Sequence, residues 1–301
     1  VNTRILRDHI EMLAGTIGER HVWRYAALQR AEEYIAERFG SYGYAVTFQD
    51  FDVYRLRVRN VEAILNGASS PGSVVVVGAH YDTVTGCPGA NDNATGVAAM
   101  LELARRFAGR PRAHTIRFVA FVNEEPPFFQ TDSMGSLVYA KAARGRADRI
   151  VGMLSLETIG YYSDERGSQR YPVAPLAIMY PSTGHFIAFV SNIGSARLLR
   201  RASRAFQART PFAMRAAAVP AAVPGVGWSD QWSFWQAGYS ALMVTDTAPF
   251  RYPWYHTPND TPDKISFERL ATVVDGLEHV VHVIAGGDVS PFDPPRPRPP
   301  T

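Results

Sequence analysis

Apolar positions along this chain follow two alternating patterns. Residues 74–79, 115–122, 150–156, 176–180 and 240–245 are short apolar runs, rich in β-branched and aromatic residues and bounded by turn formers. Runs of that kind read as buried strands. Between them the spacing changes to a helical one. Ile5, Leu6, Ile10 and Leu13 mark a helix over 4–13, and Tyr25, Leu28, Tyr34, Ile35 and Phe39 mark one over 22–39, stopped by Gly40 and Gly43. Further helices are expected at 93–107, 133–143, 195–208 and 230–235. A last one at 266–284 carries Leu270, Val273, Val274, Leu277 and Val281 on one face. Val46, Phe48 and Val53 alternate as in a half-buried strand, with 58–65 as its partner. The stretch 214–227 holds too much proline for regular structure and reads as a loop over a site.

This alternation predicts an α/β fold: one three-layer domain over 1–287, with a mixed, mostly parallel central sheet and helices on both faces. Residues 288–301 form a proline-rich, polar tail. The 301 residues suffice to bury roughly three quarters of the unfolded surface.

Composition narrows the function classes. A net charge of +3 is mild, and Arg197, Arg200, Arg201 and Arg204 fall at helical spacing, as on a solvated face. No nucleic-acid partner is expected. Membrane contact is not expected either, because no apolar stretch reaches the roughly 18 residues of a spanning helix. The lone Cys87 excludes an intrachain disulfide framework and reads as a packed or loop thiol. The chain starts at Val1 with no signal peptide, as a processed or trimmed form would. A secreted or periplasmic location is expected over a cytoplasmic one, and a monomer over an oligomer.

The chemistry lies where the apolar runs stop. The first run ends in His80-Tyr81-Asp82, the second in Asn123-Glu124-Glu125, and the third in Glu157. Asn91-Asp92-Asn93 opens the helix after the first run, and a polar loop near the C-terminus holds Tyr255-His256-Thr257. In an open α/β sheet, ligands bind beyond the carboxyl ends of the strands. Two imidazoles with several carboxylates and no thiolate suit Zn²⁺, with Mn²⁺ or Co²⁺ as alternatives. The carboxylates exceed the needs of one ion, and a pair of ions sharing a bridging carboxylate explains the surplus. Taken singly, Asp92 would read as a helix N-cap, the Glu pair as a solvated turn, and His256 as an exposed loop residue.

Five segments occur in order: Gly78-Ala79-His80-Tyr81-Asp82, Asn91-Asp92-Asn93-Ala94-Thr95-Gly96, Asn123-Glu124-Glu125, Leu156-Glu157-Thr158-Ile159-Gly160 and Tyr255-His256-Thr257-Pro258. Together they resemble the co-catalytic dizinc aminopeptidases, whose relatives include glutamate carboxypeptidases and glutaminyl cyclases. The resemblance covers most of the chain. It implies two Zn²⁺ per chain, bridged by Asp92, with His80 and Glu157 completing one site and Glu125 and His256 the other. It further implies Glu124 as general base, Asp82 as the carboxylate that orients His80, and Tyr255 as a donor to the oxyanion. Many members carry Asp where this chain has Glu157, and Pro126-Pro127-Phe128-Phe129 is a second departure, either a wall of the specificity pocket or a surface turn.

The expected function is therefore zinc-dependent removal of N-terminal residues from peptides. The alternatives are a glutaminyl-peptide cyclotransferase, to which Trp254 beside His256 points, and a carboxypeptidase using Arg251 or Arg215 for the terminal carboxylate. A binding module that has lost its metals is a third. Apolar and aromatic residues over 214–235 suggest a hydrophobic side-chain pocket, with Trp228, Trp232, Trp235 and Trp254 as possible walls.

Overall fold

The computed structural model describes residues 3–288. The proline-rich tail expected at 288–301 lies, but for its first residue, outside the described residues. The strands are β1 (Val46–Val53), β2 (Leu56–Leu65), β3 (Ser70–His80), β4 (His114–Phe121), β5 (Arg149–Glu157), β6 (Ile187–Ser191), β7 (Met214–Ala218) and β8 (Ala241–Thr245). They form one sheet in the order β1-β2-β4-β3-β5-β8-β6-β7. The central four, β4-β3-β5-β8, are mutually parallel. β1 and β2 extend one edge antiparallel, and β6 runs antiparallel to β8 on the other side. β3 is apolar without alternation because both of its faces are covered. Val75, Val77 and Ala79 join the larger core, whereas Val74 and Val76 join a smaller one with Phe121, Tyr139 and Phe234.

Helices α1 (Thr3–Ile10), α2 (Tyr25–Ser41), α3 (Thr95–Phe107), α6 (Ala196–Arg209) and α9 (Phe267–Ile284) supply the larger layer. The opposite face takes α4 (Gly135–Gly145) and α7 (Gln231–Gln236). α6 buries Leu198, Leu199, Ala202, Ala205 and Phe206, while Arg197, Arg200, Arg201 and Arg204 are exposed, as a solvated face requires. Among the described residues no helix is long and apolar enough to cross a membrane.

Three elements differ from the sequence reading. The run at 176–180 is not a strand: Ala174–Met179 is a short helix, α5, with Pro175 in its first turn and Ile178 and Met179 exposed. Proline's fixed φ suits a helix start, and a run left in solvent gains nothing from a sheet. The expected loop at 214–227 begins as edge strand β7, because Pro220 and Pro224 lie beyond the paired residues. β6 is an additional strand of five residues. The remaining helix is α8 (Ala248–Arg251).

Candidate metal centre

The parallel strands β3, β4 and β5 deliver their carboxyl ends to one place. His80 is the last residue of β3, Glu157 is the last of β5, and Glu124-Glu125 follow β4. Asp92 enters from the segment before α3. Its backbone stands at φ −112° and ψ 91°, and Ala94, not Asp92, occupies the N-cap position of α3, so Asp92 does not cap that helix. Side chains on either side stitch that segment to the loop after β5. Asn93 donates to the Leu156 carbonyl at 2.8 Å and accepts from Gly96 and Thr158 N–H, while Asn91 accepts from Gly160 N–H at 2.9 Å. Asp260 accepts the Asn91 and Asp92 N–H groups at 2.8 and 3.1 Å and the Tyr252 hydroxyl at 2.7 Å. The buried Arg20 guanidinium donates to five carbonyls, Leu13, Gly18, Tyr81, Pro88 and Gly89, locking the N-terminal helices to the loop that leads to Asp92.

Asp92 sits between two imidazoles. Its Oδ1 lies 3.2 Å from His80 Nε2 and its Oδ2 lies 3.1 Å from His256 Nε2. His80 Nε2 is also 3.2 Å from Glu157 Oε2, and His256 Nε2 is 3.3 Å from Glu125 Oε2. His80, Asp92 and Glu157 thus make one ligand group and Asp92, Glu125 and His256 another, with Asp92 common to both. Glu124 Oε2 stands 3.8 Å from His80 Nε2. Asp82 has a broader role than orienting His80. Its backbone carbonyl lies 3.2 Å from His80 Nδ1, while its carboxylate accepts the N–H groups of Glu124 and Glu125 at 3.1 Å each.

Electrostatics strain this cluster. Burial pushes the Glu124 carboxyl well above its usual range, and His80 offsets this only in part. Burial, then Asp92, lifts Glu125 to about 7. Burial would lower His256, but the adjacent Asp92 and Glu125 carboxylates lift it to about 10. Four buried atoms, His80 Nε2, Asp92 Oδ1, Glu125 Oε1 and His256 Nε2, have no hydrogen-bond partner. Orphaned ligand atoms converging on shared points are costly unless a cation binds them. The donor set fits zinc.

Three further acids escaped the sequence reading. Ser229 donates to Glu157 Oε2 at 2.7 Å, and the next residue, Asp230, is fully buried with neither carboxylate oxygen partnered. Burial lifts Asp230 to about 7, and the His80 imidazole opposes the lift. Asp246, just past β8, accepts from Asn91 Nδ2 at 3.0 Å and is likewise raised by burial to about 7. Asp260 is the third. Cys87 is buried against Asp260, and burial keeps it a thiol.

Tyr255 stacks on His256 with ring centroids 3.9 Å apart, and burial holds its phenol protonated. With Glu157 it lines an adjoining open pocket. The pocket is apolar and takes Trp228 but not Trp232, Trp235 or Trp254 into its lining. The Pro126–Phe129 segment is a turn outside it: Phe128 is buried beneath Trp23 and Tyr54.

The model of Peptidase family M28 matches residues 60–281. The chain belongs to that family. It is 37% identical over 280 residues to the uncharacterized protein YfbL of Escherichia coli K12, covering 90% of this chain and 85% of that one. It spans less than half the length of three fungal relatives, each named a probable zinc metalloprotease. The fold is shared with a zinc aminopeptidase from Bacillus subtilis, at a TM-score of 0.76 and 17% identity over 96% of this chain and 97% of that one. It is also shared with the Fimbriiglobus ruber glutaminyl cyclase, at a TM-score of 0.68 and 21% identity over 94% and 95%.

Proposed function

We propose that this chain is a two-zinc aminopeptidase that hydrolyses the first peptide bond of peptides with an apolar N-terminal residue. The observation that carries the reading is Asp92, whose two oxygens face His80 and His256 while the buried ligand atoms around it stay orphaned. His80, Asp92 and Glu157 would hold one ion, and Asp92, Glu125 and His256 the other. The longer Glu157 side chain reaches its ligand group because Ser229 fixes its Oε2. Zinc bound there supplies positive charge that acidifies water and steadies an oxyanion.

The chain's own residues do the rest. Glu124 is the general base: its carboxyl is raised by burial, so it takes a proton from the attacking water and returns it to the leaving amine. Asp82 holds Glu124 and Glu125 in register through their N–H groups. Protonated Tyr255 donates toward the oxyanion. The apolar pocket beside Glu157 receives the substrate's first side chain.

A carboxypeptidase reading loses Arg251, which is buried and already donates to Gln169 Oε1 and the Phe186 carbonyl at 2.7 Å each. The cyclase reading rests on shared fold, and two complete ligand groups favour the hydrolase.

The deciding experiment is mass spectrometry of zinc-loaded protein with peptides bearing N-terminal Leu, Phe or Gln. Stepwise N-terminal trimming, abolished by a chelator, is expected. Loss of ammonia from the Gln peptide alone would select the cyclase. Glu124→Gln should keep its zinc, measured by elemental analysis, while its kcat falls by roughly 10³-fold or more. A zinc-loaded, active variant would remove Glu124 from the role of base.

A further inference from the structure

The floor of the apolar pocket is one row of in-register residues. Glu157 of β5 pairs with Thr245 of β8, Thr245 with Ala188 of β6, and Ala188 with Arg215 of β7. Residues paired in this way project from the same face of a sheet. The row therefore has a carboxylate at the metal end, a cation at the far end, and two small residues between them. Three strand-to-strand steps separate the ends, roughly 14 Å of backbone. The next row on the same face is Ser155, Met243, Val190 and Ala217, and its three apolar members line the pocket as well.

Among the described residues that line the pocket, Glu157 and Arg215 are the only charged ones. Glu157 is committed to the ligand group. Arg215 is not committed to a carboxylate: its guanidinium donates to the Met214 carbonyl at 2.8 Å and lies over the Phe186 ring at 5.7 Å. The neighbouring hydroxyls of Tyr171 and Tyr180 donate to the carbonyls of Pro181 and Ala216. The remaining N–H groups of a half-buried guanidinium are thus donors at the end of this apolar row farthest from Glu157.

We propose that Arg215 is the specificity-determining residue of this pocket. It selects a first side chain with an extended aromatic or aliphatic body that ends in a hydrogen-bond acceptor or an anion, and it rejects one that ends in a cation. Tyrosine fits this description among common residues. Lysine and arginine do not, since their charge would be desolvated against Arg215 with no carboxylate free to receive it. The inference rests on the aminopeptidase reading, because the pocket selects a first side chain only if the peptide bond to be cut lies at Glu124.

The test uses two substrates of nearly equal shape, the p-nitroanilides of 4-carboxyphenylalanine and 4-(aminomethyl)phenylalanine, with phenylalanine p-nitroanilide as reference. Zinc-loaded protein is expected to favour the anion over the cation by about tenfold or more in kcat/KM. Arg215→Glu should reverse the order and Arg215→Met should flatten it. Phenylalanine p-nitroanilide, whose side chain carries no terminal polar group, is the rate to which both substrates are normalised in each protein. The same ranking in all three proteins overturns the proposal. So does C-terminal trimming that Arg215→Met abolishes, which would make Arg215 a carboxylate anchor.

A second readout needs no turnover. Quenching of tryptophan fluorescence, with Trp228 in the pocket wall, reports binding of the free 4-substituted phenylalanine amides to metal-free protein. If no substrate is hydrolysed yet binding reverses its charge preference with Arg215→Glu, the aminopeptidase reading falls and the selectivity of Arg215 stands. If substrates are cut without charge preference and binding shows none, the proposal falls and the aminopeptidase reading stands.

Discussion

Asp260 touches no substrate, yet it fixes where Asp92 stands. Its two oxygens accept the N–H groups of Asn91 and Asp92, and the anchor is completed by the Tyr252 hydroxyl donating to Asp260 Oδ1 and the Ala90 N–H donating to the Asp260 carbonyl. Asp260→Ala would leave two buried N–H groups unpaired and free the segment that presents the shared ligand. The expected result is a roughly 10- to 100-fold loss of zinc affinity, measured by competition with a chromophoric chelator. Asp260→Asn, which keeps one acceptor oxygen, should lose less. Equal affinity in all three proteins would make Asp260 a packing residue only. The contrast with Asp92 explains what was legible at this scale. His80, Glu124, Glu125 and Glu157 announce themselves because a buried apolar run stops abruptly on a charge. Asp260 lies in a polar, proline-flanked turn 168 residues from Asp92, where a carboxylate ordinarily faces water. Asp230 precedes the short α7 and follows no apolar run, whereas Asp246 follows the 240–245 run and lay within reach of the signal that marked Glu157.

At the scale of elements, α3 and β5 must approach closely for the two halves of the ligand set to meet. Gly96 makes that possible. A Cβ there would fall 2.3 Å from the Leu156 carbonyl oxygen and 2.4 Å from Asn93 Oδ1, both part of the stitching around Asp92. Gly96→Ala should therefore cost about 1–3 kcal/mol of stability through overpacking. It should also weaken zinc binding, whereas an equally destabilising change remote from the site would not. Urea unfolding and zinc competition on the same samples check this, and unaltered zinc affinity would separate Gly96 from the site. The central strands were readable because burial on both faces leaves a run with no polar interruption. β6 was not: it is a run of only five residues between Phe186 and Asn192 and ends on no charged residue. The 176–180 run shows the converse failure, since apolar composition alone cannot tell a strand from an exposed helical turn.

The whole molecule was legible as one α/β domain, but the joints between its helices were not, because they depend on side chains far apart in sequence. One joint governs the molecule's response to acid. His9 of α1 is buried between two tyrosines, with Nδ1 2.6 Å from the Tyr34 hydroxyl of α2 and Nε2 3.3 Å from the Tyr42 hydroxyl. Among its charged neighbours, Glu102 and Asp8 favour the protonated ring, while Arg38 and Arg105 oppose it. Burial dominates and lowers its pKa from 6.5 to about 4. Between those two values the unfolded chain binds a proton that the folded chain refuses. Stability from this group is therefore complete above about pH 6.5 and falls as the pH drops toward 4, by about 3 kcal/mol over the window. His9→Leu removes the linkage and also strips both tyrosine hydroxyls of their partner. The variant should be less stable than the wild type at pH 7.5 but should lose less on acidification, so that the two urea-unfolding curves converge by about pH 4.5. Measuring both on metal-free protein cancels the protons taken up by the ligand carboxylates, which the variants share. Parallel curves across the window would show that His9 does not carry the acid sensitivity, and the joint between α1 and α2 would then be indifferent to its charge.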